Sequence, residues 1–237
     1  MTSDVGFESA GSGPAGRRVR ALANLGPVAQ LRAGRLPRRL LQLAVGLALY
    51  GLTLAMMIRA TLGNAPWDVL HQGMAIHLPI SIGTAVIVMS LVVLVLWIPL
   101  RELPGLGTIA NSFAVGLTAD VALSLIHAPD VVWQRALLMV GGVVFNALAT
   151  ALYIGSQLGP GPRDGLMTGL HRRTGVSIRL VRTGIEVFVV AVGWLLGGVV
   201  GIGTVVYAVM IGPLVQLMLP RCIVELEERS EPNKPAR

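Results

Sequence analysis

The sequence predicts an all-α polytopic membrane protein: six transmembrane helices in two inverted three-helix repeats, with short re-entrant or interfacial helices between spans. Three observations predict it. The 237-residue chain is 54% hydrophobic and only 13% charged, which is more apolar surface than a soluble domain of this size can bury. Residues 62–73, LGNAPWDVLHQG, are written again at 158–169 as LGPGPRDGLMTG, so that Gly63, Pro66, Asp68, Leu70 and Gly73 each recur 96 residues later. The same offset aligns Gly46 with Gly142, Ser81 with Ser177, Thr108 with Thr204 and Gly116 with Gly212. Finally, when both termini are placed on one side of the membrane, that side collects every basic residue except Arg59 and Arg135. Such an excess marks the cytoplasmic face.

Residues 1–36, rich in Gly, Ser, Ala and Arg and without an apolar period, are expected to form a disordered basic tail. Six apolar runs follow, at 40–58, 80–100, 105–126, 131–154, 181–200 and 203–219. Each is close to the roughly 20 residues needed to cross about 30 Å of hydrocarbon. The first repeat is expected over 37–130, the second over 131–222 and a C-terminal cytoplasmic tail over 223–237. Three spans separate the two signature loops, an odd number, so one loop dips in from outside and its copy from inside. This is the inverted-repeat arrangement of many carriers. Trp67, Trp97, Trp133 and Trp194 fall mostly near span ends, as interfacial anchors do.

From Pro66 and from Pro162 each loop reads as a short helix of about 8 to 12 residues, too short to span. Proline suits the first helical position because its missing N–H has no partner there, and an acid two residues later favours the same helix end. Asp68 and Asp164 are therefore expected first as caps on their own helix starts. The functional alternative places both helix starts at the symmetry axis, where the acids, with Asn64 and Arg163 as polar neighbours, line a pathway gated from either side. Two further carboxylates lie within spans, where an unpaired charge is costly. Glu186 has Arg182 one helical turn before it as a partner, whereas Asp120 has none on its helix and is matched in the second repeat by Gln216. The candidate substrate pathway is thus Asn64, Pro66, Asp68, Asp120, Pro162, Arg163, Asp164 and Glu186. Asn146 and Thr150 read as interhelical glue.

The sequence holds no metalloprotease or nucleophile-elbow motif and a single cysteine, Cys222, so no catalytic residue, cofactor or metal site is expected. His71, His77 and His127 are too irregularly spaced to argue for a metal and read as interfacial. The positive charge flanks apolar spans and argues for a membrane rather than a nucleic-acid partner.

The runs LRAGRLPRRLLQL, LGNAPWDVLHQG, IPLRELPGLGT and LGPGPRDGLMTGL together resemble the YczE/YitT-type family of bacterial integral membrane proteins. The resemblance implies a protein of about six spans in the bacterial cytoplasmic membrane and supplies no agreed ligand-binding residues. The leading expectation is a transporter of a small molecule or ion, with its site at the repeat interface and the lipid bilayer as its other partner. The alternatives are a non-transporting accessory or regulatory protein and the substrate-binding membrane subunit of a vitamin importer.

Overall fold

A computed structural model of the chain describes residues 26–226. Among these residues it contains nine helices: α1 (Pro27–Arg32), α2 (Leu36–Ala60), α3 (Pro66–His77), α4 (Ile82–Leu100), α5 (Leu106–Leu125), α6 (Val132–Gly155), α7 (Pro162–Thr174), α8 (Ile178–Leu195) and α9 (Ile202–Cys222). The sequence offset reappears as structure. Helices α2, α3, α4 and α5 begin 96 residues before α6, α7, α8 and α9 respectively. Five helices, α2, α4, α5, α6 and α9, are long and apolar enough to cross a membrane. The remaining long helix, α8, has 18 residues and carries Arg179, Arg182 and Glu186. It stops at Leu195, and Gly197 at φ +85° carries the chain into a turn, so the predicted span to residue 200 ends early.

The axis of the molecule is the pair α2 and α6, which are counterparts of one another and run antiparallel. Arg39, fully buried near the start of α2, donates from Nε to the Ser156 carbonyl (2.8 Å) and from Nη2 to the Gln157 carbonyl (2.7 Å). These groups at the end of α6 have no partner within their own helix. At the opposite end, Arg135 lies 96 residues after Arg39 and donates to Thr61 Oγ1 (3.0 Å) and to the Pro129 carbonyl (2.6 Å). Between these ends Gly46 lies against Leu152 and Tyr153, and Gly142 lies against Met57. At the middle, Asn146 Nδ2 donates to Thr53 Oγ1 at 2.8 Å, which fulfils the expectation of interhelical glue.

Around this axis the halves interlock. Helix α5 packs on α2 and α9 on α6, while α3 crosses over to α8 and α4 to α7. Trp67, Leu70, Val93, Trp97, Leu166 and Val189 form the core cluster that joins α3, α4, α7 and α8. Trp67 and Trp97 are thus core residues, contrary to the expectation of interfacial anchors, whereas Trp133 and Trp194 are exposed. The reason is packing. Gly165 leaves a slot that the Trp97 ring fills, and Trp97 Nε1 donates to the Pro162 carbonyl at 3.0 Å.

Parts of the predicted tails fall among the described residues. Residues 27–32 form α1, and the Gln30 carbonyl accepts from Arg39 Nη1 at 2.5 Å. Ile223 and Val224 are buried, with the Val224 carbonyl accepting from Gln157 Nε2 at 2.7 Å. The parts of the predicted tails at 1–25 and 227–237 lie outside the described residues.

One pair of crossings breaks the correspondence. Helices α4 and α5 pack closely, with the carbonyl oxygen of Gly83 2.4 Å from where a Cβ on Gly116 would sit. Their counterparts α8 and α9 scarcely touch, and a Cβ built on Gly212, the counterpart of Gly116, meets nothing within 4 Å.

Candidate functional site

Both signature loops are held by the same device. Gly63 at φ +116° and Gly159 at φ +121° adopt a backbone that L side chains rarely enter, and each loop then docks on the start of the last helix in the opposite half. The Leu62 carbonyl accepts from Gly203 N at 2.8 Å, and the Leu158 carbonyl from Gly107 N at 2.7 Å. A Cβ on Gly63 would stand 2.6 Å from Gly201 N, so the contact needs glycine twice over. Side chains add local ties. Asn64 Nδ2 donates to Gln72 Oε1 (2.7 Å), which also accepts from Val199 N (2.8 Å), and Thr108 Oγ1 donates to the Pro160 carbonyl (2.7 Å). These ties aim the N-termini of α3 and α7 toward each other at the α2–α6 axis.

The acids at those N-termini do not cap their helices, contrary to the favoured expectation. Asp68 is buried, its Oδ1 3.2 Å from His71 Nδ1 and 3.8 Å from Arg163 Nη2. Asp164 Oδ2 accepts from the Tyr153 hydroxyl at 2.5 Å. A helix start carries partial positive charge, and Arg163 in the first turn of α7 comes within 3.8 Å of Asp68 in the first turn of α3. The Arg163 guanidinium lies 4.9 Å from the centre of the Trp67 ring, a cation–π contact, and receives no hydrogen-bond acceptor among the described residues.

Arg163, Asp164, Tyr50 and Tyr153 stand between two cavities. The larger, about 220 Å³, is bounded by Arg182 and Glu186 of α8 and by Tyr207, Ile211 and Gln216 of α9. The smaller, about 50 Å³, is bounded by Val86 and Ser90 of α4 and by Asn111 and Val115 of α5. The offset of 96 pairs these walls residue for residue: Val86 with Arg182, Ser90 with Glu186, Asn111 with Tyr207 and Val115 with Ile211. The two cavities are therefore counterparts, the smaller walled by Val86 and Ser90 where the larger is walled by the charged pair Arg182 and Glu186. Asp164 also borders a wide groove of about 810 Å³ that reaches Gln30, Glu102, His171 and Arg172.

Of the predicted pathway, Pro66, Arg163, Asp164 and Glu186 line the larger cavity, and Pro162 lines the smaller. Asp68 sits behind Arg163 as its counter-ion. Asn64 is buried against Gln72, off the cavities. Asp120 is elsewhere: it accepts from Ser81 Oγ (2.5 Å) and Gly83 N (2.8 Å), latching α5 to the start of α4. Glu186 keeps its expected partner, with Arg182 Nε donating to Oε1 at 2.9 Å, and the pair faces the larger cavity. Sequence reasoning missed the tyrosines. The chain has three, and Tyr50, Tyr153 and Tyr207 all border the larger cavity. The available signal was position, since Tyr50 and Tyr207 lie well inside apolar runs and not at the ends where anchoring aromatics gather.

Residues 37–220 match the family described as "Family of unknown function (DUF6198)". The chain belongs to that family. Among the relatives of this DUF6198 chain, an uncharacterized protein of Haemophilus influenzae is 38% identical over 177 residues, covering 75% of this chain and 81% of the relative. The uncharacterized membrane protein YczE of Bacillus subtilis is 29% identical over 175 residues, covering 73% and 81%. The uncharacterized protein YyaS of the same organism is 24% identical over 182 residues, covering 74% and 90%. No solved structure matches the chain. The resemblance to YczE-type proteins therefore holds, and this DUF6198 chain is an integral membrane protein whose apolar helices contact the lipid bilayer. Its site geometry is one that the names of its relatives do not describe.

Proposed function

We propose that the chain is a small-molecule or ion transporter of the bacterial cytoplasmic membrane, built as two inverted three-span repeats, with α8 as the sixth span and both termini cytoplasmic. The observation that carries this reading is the pair of counterpart cavities that share Arg163 and Asp164, one of about 50 Å³ and one of about 220 Å³. A site flanked by two symmetry-related chambers is what alternating access requires, because each repeat then supplies the gate for one side. The antiparallel α2–α6 axis, the reciprocal docking of Gly63 and Gly159 and the crossing-over of α3 and α4 support the inversion. Arg182 and Glu186 do not bar α8 as a span, since charges that pair with each other and face a cavity are tolerated in a bilayer.

Thr150, on α6 at the larger cavity, gives a direct test. In a Cys222→Ser background, Thr150→Cys is expected to react with the water-soluble reagents sulfonatoethyl and trimethylammonioethyl methanethiosulfonate from one side of the membrane at rest. A slower reaction from the other side is expected, and Asp164→Asn should change the ratio of the two rates. A cysteine inert from both sides would mean a packed, dry interior and would overturn the carrier reading in favour of an accessory protein.

A further inference from the structure

We propose that the gap between α8 and α9 is a lateral opening through which the larger cavity takes a single-chain anionic amphiphile from one leaflet. The proposal rests on the transporter reading for the place of the site and adds the class of its substrate.

The gap is written into the sequence. At the closed crossing Gly83 lets α4 approach Gly116, and Asp120 latches Ser81 and Gly83. At the open crossing, 96 residues on, Arg179 replaces Gly83, Gln216 replaces Asp120 and Pro213 replaces Leu117. Arginine does not allow the close backbone approach that glycine allows, the amide lacks the second acceptor oxygen of the carboxyl group, and proline removes one rung of the α9 hydrogen-bond ladder. The opening is therefore a fixed difference between the halves and not only a stage in a symmetric cycle.

The opening faces lipid. Leu180, Val187 and Phe188 of α8 and Val209 and Leu217 of α9 are all exposed apolar side chains. Within it, Gln216 is both exposed and part of the cavity wall. Arg182 lies four residues, about 6 Å, into α8, and Glu186 about 12 Å into it, at 1.5 Å per residue. The mouth is thus just beneath one headgroup layer, where a basic side chain draws anionic heads.

Size and charge narrow the occupant. A cavity of about 220 Å³ falls short of the roughly 300–1,000 Å³ that encloses a whole small-molecule ligand. It fits a head whose tail remains outside between the helices. Every acid at the cavity already has a donor: Asp164 has Tyr153 and Glu186 has Arg182. Arg163, in contrast, has its counter-ion at 3.8 Å, too far for a hydrogen bond, and its donors are free to meet a carboxylate or phosphate head. The N-termini of α3 and α7 favour the same sign of charge.

Trp67 beneath Arg163 provides the reporter. The full-length chain bearing Trp133→Phe and Trp194→Phe, which remove the two exposed tryptophans and leave Trp67 at the cavity and Trp97 away from it, would be placed in phosphatidylcholine nanodiscs and titrated with 5-doxyl-stearate. Saturable quenching is expected, displaced by dodecanoate and not by dodecyltrimethylammonium. Arg163→Gln and Gly212→Phe should each weaken it at least tenfold, the second without loss of thermal stability because it occupies open space. Arg163→Lys should restore part of the binding lost in Arg163→Gln. Quenching that does not saturate, that dodecyltrimethylammonium displaces equally, or that Gly212→Phe leaves unchanged would overturn the proposal. If the soluble nitroxide 3-carboxy-proxyl binds as tightly as the stearate, the site takes small anions and the amphiphile is excluded while the transporter stands. If the stearate binds but Thr150→Cys is inert from both sides, the transporter reading fails and the lateral site remains.

Discussion

Helices α4 and α5 on one side and α8 and α9 on the other derive from the same written unit, yet the first pair is latched shut and the second stands apart. Three replacements make the difference, Arg179 for Gly83, Pro213 for Leu117 and Gln216 for Asp120, while Gly116 recurs as Gly212. At the first crossing, Gly83 and Gly116 bring backbones into contact, and Asp120 accepts from Ser81 and Gly83 across the seam. At the second, Ser177 still caps its own helix through Leu180 N at 3.4 Å, but nothing on α9 reaches it. The comparison teaches that helix starts and turns are conserved between the halves, whereas the closeness of two spans is decided by three side chains. It also shows where polarity was moved. The smaller chamber has Val86 and Ser90 where the larger one has Arg182 and Glu186.

The comparison can be broken or sharpened by substitutions made in corresponding pairs, each measured by thermal unfolding in nanodiscs. The largest effect is expected along the axis. Arg39→Ala strands the buried Ser156 carbonyl and removes the donors to Gln157 and Gln30, which should cost roughly 3 kcal/mol, while its counterpart Arg135→Ala, with more exposed partners, should cost about 1 kcal/mol. Next come the glycines. Gly116→Leu must push against the Gly83 carbonyl and should cost about 1–3 kcal/mol, whereas Gly212→Leu should be neutral or gain up to about 1 kcal/mol of helix propensity. Equal losses at both positions would mean that the second crossing closes as tightly as the first. A smaller difference is expected at the latch. Asp120→Ala orphans the Gly83 N–H, while the Ser81 hydroxyl keeps Thr84 as a partner, at a cost of about 1–2 kcal/mol, and Gln216→Ala should stay within about 0.5 kcal/mol. The smallest belongs to Glu186→Gln, which removes a partly exposed pair one turn apart and should cost about 0.5 kcal/mol or less.

Much of this architecture could be read from residues alone, because repetition and periodicity are local properties of a sequence. The 96-residue offset, the proline-started short helices and the pairing of Glu186 with Arg182 all fall in that class. What could not be read depends on which helices meet. Asp68 and Asp164 looked like caps because their own helices offer N–H groups, but Arg163 and Tyr153 reach them from elements about 95 and 11 residues away. Asp120 looked unpaired for the same reason, since Ser81 and Gly83 belong to another helix. Trp67 and Trp97 sit near predicted span ends, yet crossing-over of α3 and α4 buries them. The three tyrosines were legible in position but not in direction, because three spans must assemble before their rings share one space.

The central claim is that the two halves lie inverted in the membrane, and His77 with its counterpart Arg173 tests it most directly. Both are exposed at the ends of the short helices. In a Cys222→Ser background, His77→Cys and Arg173→Cys would be treated in intact cells with a membrane-impermeant maleimide, before and after permeabilisation. His77→Cys is expected to label in intact cells and Arg173→Cys only once the membrane is opened. Labelling of both in the same compartment would contradict the inversion, and the shared cavity between opposed helix starts would lose its basis.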